Sequence, residues 1–279
     1  MDCKGTNIFL IWTFYNIKIL NSAFCCSAVG AIFFLLSRYQ DMSSSLKFKQ
    51  FEIHQDHCAM KVGTDGVLLG AWAEGGQRIL DIGCGTGLIS LMMAQRFEDS
   101  KITGIEIDRE ACLQAQENIA ASPFISQIKI FHSALQNFQS NCFDCIVTNP
   151  PFFENSLLSP DPKRDIPRHS TSLPFSALFE GVDRLLIDKG VFSAVIPVEA
   201  EDGFSSEAYL KGLRPHRRTL IKTTPRKPPK RLLLAFSKGS LPPVDGETFN
   251  EIQTLFTAEG KRTEWYQKIT AEFYIKDNG

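Results

Sequence analysis

The chain has 279 residues, enough for one large α/β domain or for a domain with an appendage, and its 43% hydrophobic composition is ordinary for a soluble protein. The net charge of −1 indicates no particular partner. Among eight cysteines the only Cys-x-x-Cys pair is Cys142 and Cys145, which argues against a zinc ribbon or a disulfide framework. We therefore expect no metal site and a reducing, cytoplasmic location.

Residues 1–41 differ from the rest. They include an uncharged stretch, residues 19–36, that just meets the usual threshold of about 18 residues for a membrane span. This segment has three interpretations: a membrane anchor, an atypical signal segment, or translated sequence upstream of a start at Met42. We favour the third and do not expect a membrane partner, because residues 42–279 read as one coherent domain.

The first motif lies in residues 48–72, which predict a loop or short strand followed by a helix. Thr64 and Asp65 stand where an N-cap belongs, ahead of an apolar run. With Lys61 they lie at the positive end of that helix, where an anionic ligand group could bind. A capped packing helix without a ligand explains the same pattern, and the sequence leaves both interpretations open.

Residues 78–94 predict a strand that turns through glycines into a helix, as in the crossover of a Rossmann-like sheet. The glycines, Gly83, Gly85 and Gly87, follow the pattern G-x-G-x-G and not the G-x-G-x-x-G of dinucleotide sites. Asp81 precedes them, and its carboxylate would repel a pyrophosphate but suits an ammonium group. The next strand, residues 101–108, places Glu106 where α/β nucleotide sites carry an acid for ribose hydroxyls.

A third motif closes the strand at residues 143–153, where two prolines stop the ladder after Asn149. The Asn149 side chain and the Pro150 carbonyl can accept hydrogen bonds from an amino group. The rings of Phe152 and Phe153 can stack on a flat molecule. The motif therefore suits a planar substrate that bears an NH2.

The remaining residues predict helices at 172–187 and 201–213, a strand at 190–197, and a terminal hairpin of 219–222 with 231–237. Basic residues gather in and around this hairpin without any acid between positions 211 and 231, which is a plausible phosphate-tracking surface. They are Lys211, Arg214, Arg217, Arg218, Lys222, Arg226, Lys227, Lys230 and Arg231, to which the loop after the prolines adds Lys163, Arg164, Arg168 and His169.

The spacing of Asp81, the three glycines and Glu106 resembles the class I S-adenosylmethionine-dependent methyltransferases. Asn149-Pro-Pro-Phe resembles the branch of them that methylates amino groups. The resemblance implies an α/β fold with a seven-stranded Rossmann-like sheet whose last strand is antiparallel. It also implies that Asp81 and the glycines hold the methionine moiety, Glu106 the ribose, and Ile107 the adenine.

Ser133 and Ala134 stand where many members of that class place an acidic residue against the adenine amine, so this contact departs from the pattern. The full predicted cofactor set is Lys61, Thr64, Asp65, Asp81, Gly83, Gly85, Glu106, Ile107, Ser133, Ala134 and Asn149, and Asn149, Pro150 and Phe152 form the predicted catalytic set.

Two acceptor NH2 groups fit the Asn149-Pro-Pro-Phe motif: N6 of an adenine in nucleic acid, and the side-chain amide of a glutamine in a translation release factor. The glutamine methyltransferases look to carry a separate helical domain, whereas fewer than about 40 residues separate Met42 from the glycine turn here. Over residues 48–238 the chain is similar to the bacterial tRNA1(Val) adenine-37 N6-methyltransferases, through the 60–72 motif, the glycine turn, Asn-Pro-Pro-Phe-Phe, Arg168-His-Ser and the segment 225–231. That resemblance implies tRNA as partner, bound through Phe153, Arg168, His169, Arg226, Lys227 and Lys230.

Overall fold

The computed structural model describes residues 45–56, 58, 61–151, 173–239 and 248–275. The strands are β1 (Ser45–Lys47), β2 (Glu52–His54), β3 (Arg78–Ile82), β4 (Lys101–Glu106), β5 (Ile128–His132), β6 (Phe143–Thr148), β7 (Leu186–Pro197), β8 (Leu213–Lys222), β9 (Arg231–Lys238) and β10 (Phe249–Thr254). The α-helices are α1 (Thr64–Trp72), α2 (Leu88–Arg96), α3 (Arg109–Ala120), α4 (Phe175–Leu185), α5 (Glu201–Leu210) and α6 (Glu264–Thr270).

The central sheet has the order β10-β8-β9-β7-β6-β3-β4-β5. Neighbouring strands are parallel except at β9, which is antiparallel to both β7 and β8. The predicted Rossmann-like sheet is thus confirmed, with antiparallel pairing near its end at β9. The antiparallel strand is not the last described one, since β10 follows it. The predicted number of seven strands is wrong for the described residues, because β10 adds an eighth strand parallel to β8. Four of the six residues of β10 are polar, and its apolar Phe249 and Ile252 are exposed, so it lacks the usual strand pattern.

Three boundaries of helices and strands differ from the predicted ones, and for two of them the reason is local. Helix α4 begins only at Phe175, since Pro174 is its N-cap. Helix α5 ends at Leu210 and not at 213, because Gly212 adopts a φ of 73° and Leu213 opens β8. Strand β7 begins at Leu186, four residues before the predicted start.

Two apolar layers cover the sheet. One includes Leu68 of α1, together with Leu91 and Met92 of α2, all fully buried. The other layer is rich in aromatic residues. The ring centre of Phe179 in α4 lies 4.8 Å from that of Phe204 in α5 and 5.4 Å from that of Phe192 in β7. With both faces packed, the parallel strands form a rigid platform whose carboxyl ends present the loops of the site.

Among the described residues, none of the helices combines the length and apolar character needed to cross a membrane. The predicted N-terminal extension, residues 1–41, lies outside the described residues.

Candidate active site

The predicted motifs meet at one edge of the sheet. Strands β3, β4, β6 and β7 are parallel neighbours, so Asp81, Glu106 and Asn149 all lie at or just beyond their carboxyl ends. The last residues of β3 and β6 are joined directly, since the Thr148 hydroxyl donates to the carbonyl of Ile82 at 2.9 Å. Asn149 therefore lies one strand away from the glycine turn.

The glycine turn between β3 and α2 needs residues without a side chain. Gly83 and Gly85 have φ values of 69° and 54°, and a Cβ on either would meet nothing within 4 Å. The backbone of the turn thus borders open space where a ligand can approach it closely. The turn is tied to β4, because Gly83 N and Cys84 N both donate to the carbonyl of Ile105, at 2.9 and 3.1 Å.

Asp81 is fully buried in β3, with 0% of its surface exposed. Its Oδ2 accepts a hydrogen bond from the Ser90 hydroxyl at 2.7 Å, but Oδ1 has no partner among the described residues. Burial raises the pKa of this carboxyl to about 7, and hydrogen bonding from Ser90 opposes this rise. A buried carboxylate oxygen without a partner is unfavourable on its own, and an ammonium group would satisfy it.

Glu106 ends β4 and holds its carboxylate with two backbone donors. Oε2 accepts from Gly85 N and Oε1 from Asp108 N, both at 2.9 Å. Each oxygen keeps a second lone pair, so the carboxylate can still accept from ligand hydroxyls. The geometry fits the predicted ribose contact.

Beyond Glu106, the side chain of Ile107 is 56% exposed, which is unusual for a large aliphatic residue at this edge. His132 fixes its backbone through a 2.9 Å contact from Nε2 to the Ile107 carbonyl. Ser133 lies alongside: its amide donates to the Glu106 carbonyl at 2.9 Å and its hydroxyl to the Ala134 carbonyl at 3.0 Å. The Ser133 oxygen keeps acceptor lone pairs, so it can serve an aromatic amine in place of a carboxylate.

Asn149 follows β6 directly and is half-buried, while Pro150 is buried. Within the part of the chain that the structure describes, the Asn149 amide makes no hydrogen bond to other residues. None of these residues occupies its carbonyl oxygen, the group predicted to accept a hydrogen bond from a substrate amine. The other aromatic and basic residues predicted for this loop, Phe152, Phe153, Arg168 and His169, lie outside the described residues.

The start of α1 differs from the prediction. The N-cap is Gly63 and makes no side-chain cap, whereas Thr64 is already the first helical residue, so the predicted cap is wrong. Asp65 instead forms an ion pair with Arg231, the first residue of β9, with Nε to Oδ2 at 2.7 Å. Lys61 and Thr64 are exposed beside it. The pair places the start of α1 at the same edge of the sheet as the glycine turn.

Six of the nine cations predicted in and around the hairpin fall into two groups. Arg217, Arg218 and Arg231 form ion pairs within the protein, with Glu251, Glu201 and Asp65. For these three the expected role in phosphate binding is weakened, because their charge is already compensated. Arg226, Lys227 and Lys230, in contrast, are exposed on the turn between β8 and β9, and their side chains have no partner among the described residues.

This turn, residues 223–230, is called the basic hairpin tip below. It projects from the carboxyl edge, since Arg231 pairs with Ile221 on one side and with Pro197, the end of β7, on the other. Only β7 separates β9 from the strand that carries Asn149. The geometry therefore brings the three exposed cations to the side of the sheet on which the predicted catalytic motif lies.

The Cys-x-x-Cys pair does not form a site. Cys145 is buried and its thiol donates to the Glu74 carbonyl at 3.1 Å, while Cys142 is exposed. No group of three or more metal-ligating side chains occurs in the described ranges.

Sequence reasoning missed two contacts that shape the site. Ser90, which bonds Asp81, lies in a helical stretch where a serine carries no local signal. Arg231 appeared in the sequence as one of many cations, and nothing local indicated Asp65 as its partner.

Comparison with known proteins assigns the fold and the family. The family called methyltransferase small domain matches residues 61–169. A tRNA1(Val) (adenine(37)-N6)-methyltransferase of Bacteroides fragilis is 44% identical over 236 residues, which cover 82% of this chain and 97% of that protein. Two further proteins of the same name are similar to this chain. The one from Phocaeicola vulgatus is 45% identical, and the match covers 82% of this chain and 96% of that protein. The one from Trichodesmium erythraeum is 39% identical, and the match covers 84% of this chain and 98% of that protein.

Solved structures agree on the fold. A predicted O-methyltransferase from Agrobacterium tumefaciens superposes with a TM-score of 0.56 at 16% identity, covering 77% of this chain and 100% of that one. A protein from Listeria monocytogenes described as a class I S-adenosylmethionine-dependent methyltransferase superposes with a TM-score of 0.50 at 15% identity. The superposition covers 74% of this chain and 65% of that one.

The sheet order, the glycine turn and these likenesses define a class I S-adenosylmethionine-dependent methyltransferase. Within that class, the chain belongs to the tRNA1(Val) (adenine(37)-N6)-methyltransferase family. This assignment favours the nucleic-acid interpretation of the Asn-Pro-Pro-Phe motif over the release-factor one.

The described residues fit S-adenosylmethionine. The orphaned Asp81 Oδ1 matches an ammonium group, and the open space at Gly83 and Gly85 leaves room for the ligand. The Glu106 carboxylate can accept from ribose hydroxyls, and exposed Ile107 offers an apolar surface to a ring.

Proposed function

We propose that this protein transfers the methyl group of S-adenosylmethionine to N6 of adenine 37 in tRNA1(Val), and that it does so in the cytoplasm. The observation that carries the proposal is the position of Asn149, which lies one strand away from the turn of Asp81, Gly83 and Gly85 and whose side-chain amide has no partner among the described residues. The 44% identity to a protein of that name over most of both chains supports the choice of acceptor.

S-adenosylmethionine, when bound, supplies a methyl group on a positively charged sulfur. The protein then has to hold the cofactor, align the acceptor amine and exclude water. Asp81, Glu106 and Ile107 are the residues proposed to hold it, with Ser133 and Ala134 at the adenine end. Because Asp81 is buried and its Oδ1 has no partner in the described ranges, its attraction for an ammonium group is not weakened by solvent.

Asn149 and Pro150 are proposed to act on the amine. The lone pair of an exocyclic amine is delocalised into the ring, which makes the nitrogen a poor nucleophile. Acceptance of its two N–H groups by Asn149 Oδ1 and the Pro150 carbonyl favours a pyramidal nitrogen with an available lone pair. N6 gains the methyl group and must lose a proton. Since the neutral amide of Asn149 is not a base, that proton is lost to bulk solvent as the methylated base leaves the site.

The adenine must first leave its stack, since a base within a stacked loop cannot reach these groups. The cations of the basic hairpin tip are suited to hold the surrounding phosphates. Phe152 and Phe153 are proposed to stack on the extruded base.

The test uses the full chain, methyl-labelled S-adenosylmethionine and three acceptors: unmodified tRNA1(Val), the same tRNA with guanine at position 37, and a release factor. Label in the first tRNA alone, recovered as N6-methyladenosine, is the expected result. Equal labelling of both tRNAs would reject the assigned base, and label in the release factor alone would reject the assigned substrate.

A further inference from the structure

A cavity of about 890 Å³ opens where the chain leaves β10 and enters α6. Its lining includes three cations, Lys261, Arg262 and Lys268, and one carboxylate, Glu264. None of these residues belongs to the cofactor site, to the Asn-Pro-Pro-Phe motif or to the basic hairpin tip.

The cavity is continuous with the basic hairpin tip. Phe256, which lines the cavity, donates its amide to the carbonyl of Thr223, the first residue of the tip, at 3.0 Å. The preceding residue, Leu255, bonds the Lys222 carbonyl at 2.9 Å, and Phe256 also pairs with Arg262 in a short bridge. The wall of the cavity is thus attached to the segment that carries Arg226 and Lys227.

The cations of the cavity are available to a ligand. Lys261 and Lys268 are exposed, and no carboxylate of the described residues lies within ion-pair distance of either, or of Arg262. Arg262 is held in place by stacking, with its guanidinium 4.2 Å from the ring centre of Tyr274. This differs from Arg217, Arg218 and Arg231, whose charges are compensated within the protein.

Its position in the sheet indicates which part of a nucleic acid would reach it. Strand β10 is four strands from β6, and at the usual spacing between strands this is about 20 Å. A group bound there cannot belong to the base that enters the active site. Phosphates of neighbouring nucleotides, which follow one another along the chain, match both the distance and the sign of the charge.

We propose that the cavity formed by Lys261, Arg262 and Lys268 is a second binding site for the sugar-phosphate backbone of tRNA, continuous with the basic hairpin tip. The site positions the tRNA and does not select the base. The inference rests on the proposed tRNA substrate.

The test compares the full chain with its Lys261→Glu/Lys268→Glu double variant. The matched control is Lys129→Glu/Lys189→Glu, which reverses two exposed lysines that likewise have no side-chain partner among the described residues. For each protein, tRNA1(Val) affinity is measured over a salt series, together with the rate of N6 methylation and the affinity for S-adenosylmethionine. Sedimentation of each protein without tRNA reports its oligomeric state.

We expect the cavity variant to bind tRNA more weakly, with a slope of log affinity against log salt that is shallower by about 2, one for each lost phosphate contact. The control should keep the wild-type slope, and all three proteins should bind the cofactor equally. If the cavity variant keeps the wild-type slope of log affinity against log salt, this inference is wrong. The proposed function still holds in that case, provided that the wild-type protein methylates tRNA. A wild-type protein that neither binds nor methylates tRNA would overturn both, and a dimer that only the cavity variant loses would assign the surface to a second copy of the chain instead.

Discussion

Arg231 at the start of β9 and Asp65 in the first turn of α1 form an ion pair across 166 positions of sequence, with Nε to Oδ2 at 2.7 Å. The contact connects the basic hairpin tip to the helix that begins beside the glycine turn. Both side chains keep substantial exposure, 41% for Arg231 and 33% for Asp65. Solvent therefore screens the pair, and its main effect is on position and not on stability.

This predicts a small coupling energy between the two residues. In a cycle of Arg231→Ala, Asp65→Ala and the double variant, we expect the free energies of unfolding to show a coupling below about 1 kcal/mol. Urea denaturation of the four proteins measures it. A coupling near 3 kcal/mol would mean that the pair behaves as a buried one.

Asn149→Ala should remove transfer far more than cofactor binding. Because the amide is expected to hold the acceptor amine, the turnover number should fall about 100-fold or more, as for the loss of one positioned polar group in other enzymes. Calorimetry with S-adenosylmethionine should show a nearly unchanged affinity. Asn141→Ala, at an exposed residue two positions before β6, is the control. Parallel losses of binding and turnover would contradict the assigned role.

Asp81→Asn should stabilise the protein without cofactor at alkaline pH. Burial raises the pKa of Asp81 from 3.8 to about 7, so between these values the folded state holds a proton that the unfolded state has lost. The cost of the buried charge grows as pH rises through this window and is complete above pH 7, with an upper bound of roughly 4 kcal/mol. Thermal unfolding should therefore show a higher Tm for the variant at pH 8 and little difference near pH 4.

The same variant should lose the stabilisation that S-adenosylmethionine gives to wild type, because an amide cannot pair with an ammonium as a carboxylate does. Asp188→Asn, at an exposed carboxyl, is the control and should change neither the Tm at pH 8 nor the rise in Tm that S-adenosylmethionine causes. A cofactor-induced rise in Tm as large in Asp81→Asn as in wild type would remove Asp81 from the cofactor site.

Arg226→Glu/Lys227→Glu should weaken tRNA binding and flatten its dependence on salt by about 2 in slope, since both side chains are exposed and uncompensated. Arg218→Ala is an informative comparison, because Glu201 already holds that guanidinium through hydrogen bonds of 2.5 and 2.6 Å. We expect it to affect the salt slope much less. If the two variants flatten the slope equally, the division of the cluster into paired and unpaired cations is wrong.

The sequence predicts which residues lie together at this edge, because each lies at or just after the end of a strand. Asp81 and Glu106 are among the last two residues of their strands, the glycines and Asn149 follow directly, and a parallel sheet brings such ends to one edge whatever the loops do. Their roles remain predictions. The sequence cannot predict partners across the fold. Arg217, Arg218 and Arg231 look like the other cations of the cluster, and only folding places a carboxylate beside each of them.

Strand β10 escaped prediction for a related reason. Its residues alternate poorly between polar and apolar, and what makes them a strand is the open edge of β8, to which they bond. Its importance is positional, since β10 delivers the chain to the cavity at Lys261 and Arg262.

Four of the five described cysteines are buried and one, Cys142, is exposed, so the protein can be labelled at a single described thiol. Burial raises the pKa of the thiols of Cys58, Cys84, Cys112 and Cys145, so they stay protonated at neutral pH, whereas Cys142 is exposed just before β6. With Cys3, Cys25 and Cys26 changed to serine, a maleimide dye should therefore attach at Cys142. The six residues of β6 would hold the dye about 20 Å from Asn149, on the opposite edge of the sheet, so that tRNA binding could be followed by fluorescence without obstructing the surface proposed to bind it.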